Sequence, residues 1–143
     1  MARLRIRQAS PAELAWANAR YAEIDFAPSS EADFIAIAEV DGVKAGLGRM
    51  APIDDGHAEL GGMFVLPEYR GQSIAAGIVE FLLQRAARTT VFCIPFSHLE
   101  HFYRSFGFLP PDESVKIPSP IAEKFAWCKR TYATPVALLH RKA

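Results

Sequence analysis

Apolar and polar residues alternate with period two over residues 4–9, which predicts a half-buried strand. The pattern then changes. Ser10, Pro11 and Glu13 supply an N-cap, a first-position proline and a capping-box acid, so a helix is predicted over 11–21. Residues 22–32 contain Pro28-Ser29-Ser30, have no clear period and read as a loop or short helix placed to cover a site. Two extended runs, 34–40 and 43–53, flank Asp41-Gly42, a dipeptide that tolerates positive φ and predicts a hairpin. Asp54-Asp55-Gly56 turns the chain into a third run, 57–65, and these three strands are expected to be antiparallel neighbours.

Beyond a short loop, Ile74, Ile78, Phe81, Leu82 and Ala86 recur at helical spacing and predict a helix over 74–88. A buried strand at 90–94, a helix over 97–106 ended by Gly107, and a final strand at about 136–140 complete the readable pattern. Between them lie Pro110, Pro111, Pro118 and Pro120 and a middle stretch to which the pattern assigns no element. The alternation of strands and helices implies an α/β sandwich, a mixed sheet covered by helices, with ligands favoured where a strand meets a helix N-terminus. No repeat or linker interrupts the chain. Its 143 residues, half of them hydrophobic, are expected to form a single domain over 1–143 with a sizeable core.

Sixteen Lys and Arg balance sixteen Asp and Glu, so no overall field draws the chain to nucleic acid or an anionic membrane. No apolar run approaches the roughly 20 residues that span a bilayer, and no apolar segment follows Arg3, Arg5 and Arg7 as in a secretory leader. A soluble, cytoplasmic protein is the expectation. Cys93 and Cys128 suit reduced core thiols better than a disulfide framework. His98 and His101 stand three apart, but zinc wants three or four ligands and no third is signposted, so no metal is expected.

The chemistry concentrates in Val65-Leu66-Pro67-Glu68-Tyr69-Arg70-Gly71-Gln72-Ser73-Ile74-Ala75, which joins a strand to a helix. A helix start leaves amides unpaired and carries partial positive charge, so amides from Arg70 to Ala75 are placed to cradle a pyrophosphate. Gly71 permits close backbone approach, and Ser73 can act as N-cap. The string G-x-x-x-x-G-K-[ST] does not occur, and a dinucleotide fingerprint fails because Gly71 is followed only by Gly77. ATP and NAD are poor candidates.

Val65-x-Pro67-x-Tyr69-Arg70-Gly71 before a helix, then Phe102-Tyr103-Arg104-Ser105-Phe106-Gly107-Phe108, resembles the GNAT superfamily of acyl-CoA-dependent N-acyltransferases, and the element order agrees over essentially the whole chain. The resemblance implies a mixed, mostly antiparallel central sheet flanked by helices on both faces. It also implies that Arg70, Gly71, Gln72, Ser73, Ile74 and Ala75 form the acyl-CoA loop, usually [QR]-x-x-G-x-[GA], with Ser73 standing where a glycine is usual. The strand residues Met63, Phe64 and Val65 would pair with the pantetheine arm through exposed backbone groups. Gly61-Gly62 just upstream suits either a bulge for close ligand approach or a kink packed against a helix.

A general base must take a proton from the acceptor amine. Glu59 shares a strand face with Met63 and Val65 by parity, and several members of the family place a catalytic Glu there, six residues before the valine. An ion-paired glutamate is the competing reading, and His57 is the second candidate base. Tyr103, four residues before Gly107, stands where the family often has a tyrosine that protonates or hydrogen-bonds the leaving thiolate. Phe96 replaces the Asn often found at the end of the preceding strand. Cys93, in Val91-Phe92-Cys93-Ile94, reads as core.

The resemblance therefore implies an N-acetyltransferase. It would move an acetyl or other acyl group from acetyl-CoA or another acyl-CoA to a primary amine of a small molecule or protein in a ternary complex. A non-catalytic acyl-CoA-binding or regulatory domain is the alternative. The acceptor is left open: Glu23 and Asp25 near Tyr21 and Phe26, and Trp127-Cys128-Lys129-Arg130 with Tyr132, are candidate acceptor walls or dimer contacts, and a homodimer is compatible with the family.

Overall fold

The computed structural model describes residues 2–143. Strand β1 spans Leu4–Gln8, and the capping box follows as read: the Ser10 amide donates to Glu13 Oε1 at 2.8 Å. Pro11–Glu13 form a single 3-10 turn and helix α1 is Leu14–Glu23. Residues 24–33 carry no helix or strand, so the loop reading holds. Strands β2 (Phe34–Val40) and β3 (Val43–Asp54) form the expected antiparallel hairpin, with Asp41 and Gly42 at φ 51° and 80°. These are the positive angles of a two-residue turn that matches strand twist.

Strand β4 is His57–Val65, helix α2 is Ile74–Gln84, and β5 is Thr90–Cys93. Helix α2 stops before the predicted 88, because Arg85 to Arg88 fold into a turn instead. The predicted 97–106 helix is broken into a 3-10 turn at Ser97–Leu99 and a short α3 at Glu100–Arg104, ended by Gly107 at φ 91°. Two corrections fall in the C-terminal stretch. Its unassigned middle is a 13-residue helix, α4, at Ser119–Thr131, and β6 is Leu139–Arg141, with Val136 only in an isolated bridge to Phe96. The six strands follow one another in sheet order β1-β2-β3-β4-β5-β6. β1 with β2, β2 with β3 and β5 with β6 are antiparallel, while β4 and β5 are parallel. This is the mostly antiparallel α/β sheet that was expected.

The residues group into two compact units, one of residues 1–51 and 62–85, the other of residues 52–61 and 86–143. In the first, strand parity separates two apolar layers. Ile35, Ile37 and Leu47 are buried against Ala17 and Tyr21 of α1. Gly46 and Gly48 point the other way, where a Cβ at Gly48 would come within 2.7 Å of Ile78 and one at Gly46 within 3.4 Å of Ile74. Those glycines let α2 lie close to the hairpin. In the second unit, Leu60, Val91, Phe92, Phe108, Ile121 and Leu139 form fully buried positions.

Candidate functional site

The strand-to-helix junction lies in the first unit. β4 ends at Val65, Leu66 N–H donates to Ala45 O at 2.8 Å, and Pro67–Tyr69 make one 3-10 turn. Arg70 is then extended, Gly71 takes φ 82°, and Ser73 takes φ 61°, immediately before α2. The Arg70 amide donates to Pro67 O at 3.3 Å, so it is not available to a ligand. The next amide with an intrachain acceptor is Gly77, on Ser73 O at 3.2 Å. The free run is therefore Gly71, Gln72, Ser73, Ile74, Ala75 and Ala76, shifted by one residue from the predicted set.

Such a run at the N-terminus of an 11-residue helix carries partial positive charge. Open space surrounds the point where a Cβ would stand on Gly71. Ser73 occupies the N-cap position with a left-handed backbone, and its side chain makes no cap hydrogen bond. The Arg70 side chain folds back, its Nε donating to Val65 O at 3.1 Å.

Gly62 is left-handed at φ 60° and breaks the regularity of β4. A Cβ there would lie 2.5 Å from Tyr21 Oη and 2.9 Å from Arg49 Nε, so the glycine is required by close packing over α1. Arg49 is buried, donates to Ala27 O and Ser29 Oγ at 2.9 and 2.7 Å, and stacks over the Tyr21 ring. It thereby fixes the loop after α1 to β3. Of the two readings of Gly61-Gly62, this supports the kink packed on a helix.

The second unit holds both predicted catalytic side chains. Glu59 stands opposite Phe92 in the β4–β5 register and is 7% exposed. Its Oε2 accepts a hydrogen bond at 2.6 Å from Lys124 Nζ on α4, a helix the hydrophobic pattern did not reveal. The buried Cys93 thiol is pushed above its ordinary value by desolvation and by the Glu59 charge. Cys128 is also pushed up by desolvation and by Glu59, with Lys124 opposing. Neither thiol is a thiolate nucleophile, and both are core, as expected.

Tyr103, on α3, is 6% exposed and packs edge-on against Phe102 and Phe108. Burial pushes its phenol well above the ordinary range, with Cys93 a smaller contribution. Cys93 is thus the electrostatic neighbour of both Glu59 and Tyr103. Lys124 is the member of this cluster that sequence reasoning missed. Pro118 and Pro120 before Ile121, Phe125 and Cys128 at helical spacing were a usable signal for the helix, but not for its pairing with Glu59.

His57 is half-exposed and its Nδ1 lies 2.6 Å from Asp54 Oδ1, which makes it part of the turn. Asp54 is held below its usual value, first by the Gly56 amide and then by His57. Phe96 stacks on His98 at 6.2 Å and meets Tyr132 edge-on, so the position often given to Asn is a ring contact. No cluster of three or more His, Cys, Asp or Glu placed to hold a metal occurs among the described residues. None of their helices is long and apolar enough to cross a membrane.

Fold and junction together define an α/β protein whose fourth strand runs into a helix through a turn with unpaired amides. The chain belongs to the acetyltransferase (GNAT) family, whose model matches residues 3–108. No curated protein matches it. Among solved structures it is similar to Rv2747 from Mycobacterium tuberculosis in complex with CoA, at 18% identity and TM-score 0.76 over 97% of this chain and 99% of that one. It is also similar to Arabidopsis thaliana Naa50 bound to a bisubstrate analogue, at 14% identity and TM-score 0.69 over 98% and 99% of the two chains. N-acetylglutamate synthase from Neisseria gonorrhoeae, complexed with coenzyme A and L-arginine, matches at 14% identity and TM-score 0.73 over 97% of this chain. The chain spans 33% of that protein's length.

Proposed function

We propose that this chain is an acyl-CoA-dependent N-acetyltransferase, which passes an acetyl group from acetyl-CoA to a primary amine of a small molecule or protein by direct transfer in a ternary complex. The observation that carries this reading is the run of unpaired amides from Gly71 to Ala76 at the start of α2, in a chain of the acetyltransferase (GNAT) family. The CoA bound in the similar M. tuberculosis and N. gonorrhoeae structures supports the same donor.

In this reading the loop amides take the pyrophosphate, and backbone groups of Met63 to Val65 take the pantetheine arm and polarise the thioester carbonyl. One well-aimed donor to the developing oxyanion contributes about 3 kcal/mol. Glu59 accepts a proton from the acceptor amine, whose nitrogen attacks the carbonyl carbon; the C–S bond breaks and CoA leaves. The elevated Tyr103 phenol keeps its proton near neutral pH, so its contribution is a hydrogen bond to the departing sulfur rather than full proton transfer.

Calorimetric titration with acetyl-CoA tests the donor, and thiol release across a panel of amines tests transfer. Glu59→Gln is expected to lower kcat by about 10²–10⁴-fold. Tyr103→Phe is expected to lower it by a smaller factor. Full activity in either variant refutes that residue's role. The Glu59–Lys124 ion pair favours the second reading, a non-catalytic acyl-CoA-binding domain, because it engages the base. Saturable acetyl-CoA binding with no thiol released by any amine would select it.

A further inference from the structure

We propose that the acceptor is a free α-amino acid, held as a zwitterion between Glu59 and Lys124: its ammonium takes the carboxylate, and its carboxylate takes the lysine. This rests on the acetyltransferase reading above and names the acceptor class for it. Both side chains belong to the second unit, one on β4 and one on α4, so the two charges that would select the acceptor lie within one unit.

A carboxylate that receives an acceptor ammonium gives up the cation it already holds. Glu59 is buried, and its one side-chain partner among the described residues is Lys124, Nζ to Oε2 at 2.6 Å. Glu13 in the first unit differs: Arg7, Lys44 and the Ser10 amide hold it together, so losing one partner leaves the others. Glu59 has no such reserve, and neither has Lys124. Side chains that share its side of the helix stand three or four positions away, and these are Pro120, Ile121, Trp127 and Cys128, none of them acidic. Glu123 is next in sequence, on a different side of the helix. Ile121 and Cys128 are buried, and desolvation pushes up the thiols of Cys93 and Cys128, so the surroundings are apolar. A cation left alone there is costly.

An alkylamine entering as its ammonium therefore meets a second ammonium and strands it. An acceptor that carries its own anion beside its amine removes the conflict. In an α-amino acid both groups sit on one carbon, so the charges alternate from Glu59 to ammonium to carboxylate to Lys124, and each keeps an opposite neighbour. Lys124 is the partner that moves aside, because its side chain is 39% exposed while that of Glu59 is 9% exposed. Lys124 then acts as a specificity-determining residue: it rejects amines without an adjacent anion and retains those that have one.

The test compares each standard amino acid with its carboxamide and with the amine that lacks the carboxyl group, by calorimetric titration with and without CoA and by thiol release from acetyl-CoA. At least one amino acid is expected to bind, with kcat/KM at least about tenfold above that of its carboxamide. Lys124→Gln is expected to raise KM for that amino acid about tenfold with kcat little changed, and to leave KM for the carboxamide unchanged or lower, since the repelling ammonium is gone. Lys124→Arg keeps the charge and is expected to keep the preference. Lys116→Gln, which removes an exposed lysine outside the pair, is expected to change nothing. Circular dichroism checks the folds, and the acid-to-carboxamide comparison in the unaltered chain decides even where a variant does not fold. No amino acid bound, carboxamides or simple amines used as well as amino acids, or Lys124→Gln weakening both alike, overturns the proposal even where acetyl transfer is observed. Amino-acid binding with no thiol released instead defeats the acetyltransferase reading and leaves the recognition standing.

Discussion

Ser73 holds a backbone at φ 61° and ψ 22° that L-residues adopt at a cost of about 1–2 kcal/mol, while its hydroxyl caps nothing. Glycine removes that cost and loses about 0.5–1 kcal/mol through greater freedom of the unfolded chain. Ser73→Gly is therefore expected to stabilise the protein by roughly 0.5–1 kcal/mol. Ser73→Ala is expected to be nearly neutral, instead of the cap loss of about 1 kcal/mol that a bonded hydroxyl would show. Urea unfolding midpoints of the two variants decide this. Glu13 gives a residue-scale pH dependence. Arg7 depresses its folded pKa, so the stability it contributes is present above the unfolded value of about 4.3 and is lost as pH falls below it. Glu13→Gln is expected to flatten the acid limb of stability against pH, measured by urea unfolding across that range. Both residues were named in the sequence, but their conformations were not legible there. A left-handed serine and a carboxylate shared by Arg7, Lys44 and the Ser10 amide depend on groups brought in by the fold.

At the scale of elements, the hairpin was readable because Asp41-Gly42 carries its own turn geometry, and α2 because its apolar stripe is strong. Helix α4 was hidden because its buried positions are only Ile121 and Cys128 and it carries a large exposed Trp127, so its apolar stripe is weak. The 97–106 helix broke because its first residues tighten into a 3-10 turn before Glu100. The spacing of α2 from the hairpin depends on a missing side chain. Gly48→Ala places a Cβ 2.5 Å from Met63 Sδ and 2.7 Å from Ile78 Cγ2, and is expected to cost about 1–3 kcal/mol, read as a lower thermal midpoint. Unchanged stability would mean that α2 shifts outward freely.

For the whole molecule, binding of acetyl-CoA to the native state alone would raise stability by mass action. A concentration of one hundred times Kd is expected to add about 2.7 kcal/mol, visible as a thermal midpoint that climbs with ligand. Gly71→Val, which forces a branched side chain into φ 82°, is expected to weaken that shift and the starting stability together. The sequence by itself determined the strand and helix order up to β5, the hairpin, the strand-to-helix junction and the family, because these rest on local periodicity, turn chemistry and short motifs. Only the tertiary structure decided which loop amides are free, that Gly62 is a packing position over Tyr21, and that Lys124 meets Glu59. Those outcomes join residues distant in sequence, up to 65 positions apart for Lys124 and Glu59, and no local pattern encodes the meeting of side chains that only the folded backbone brings together.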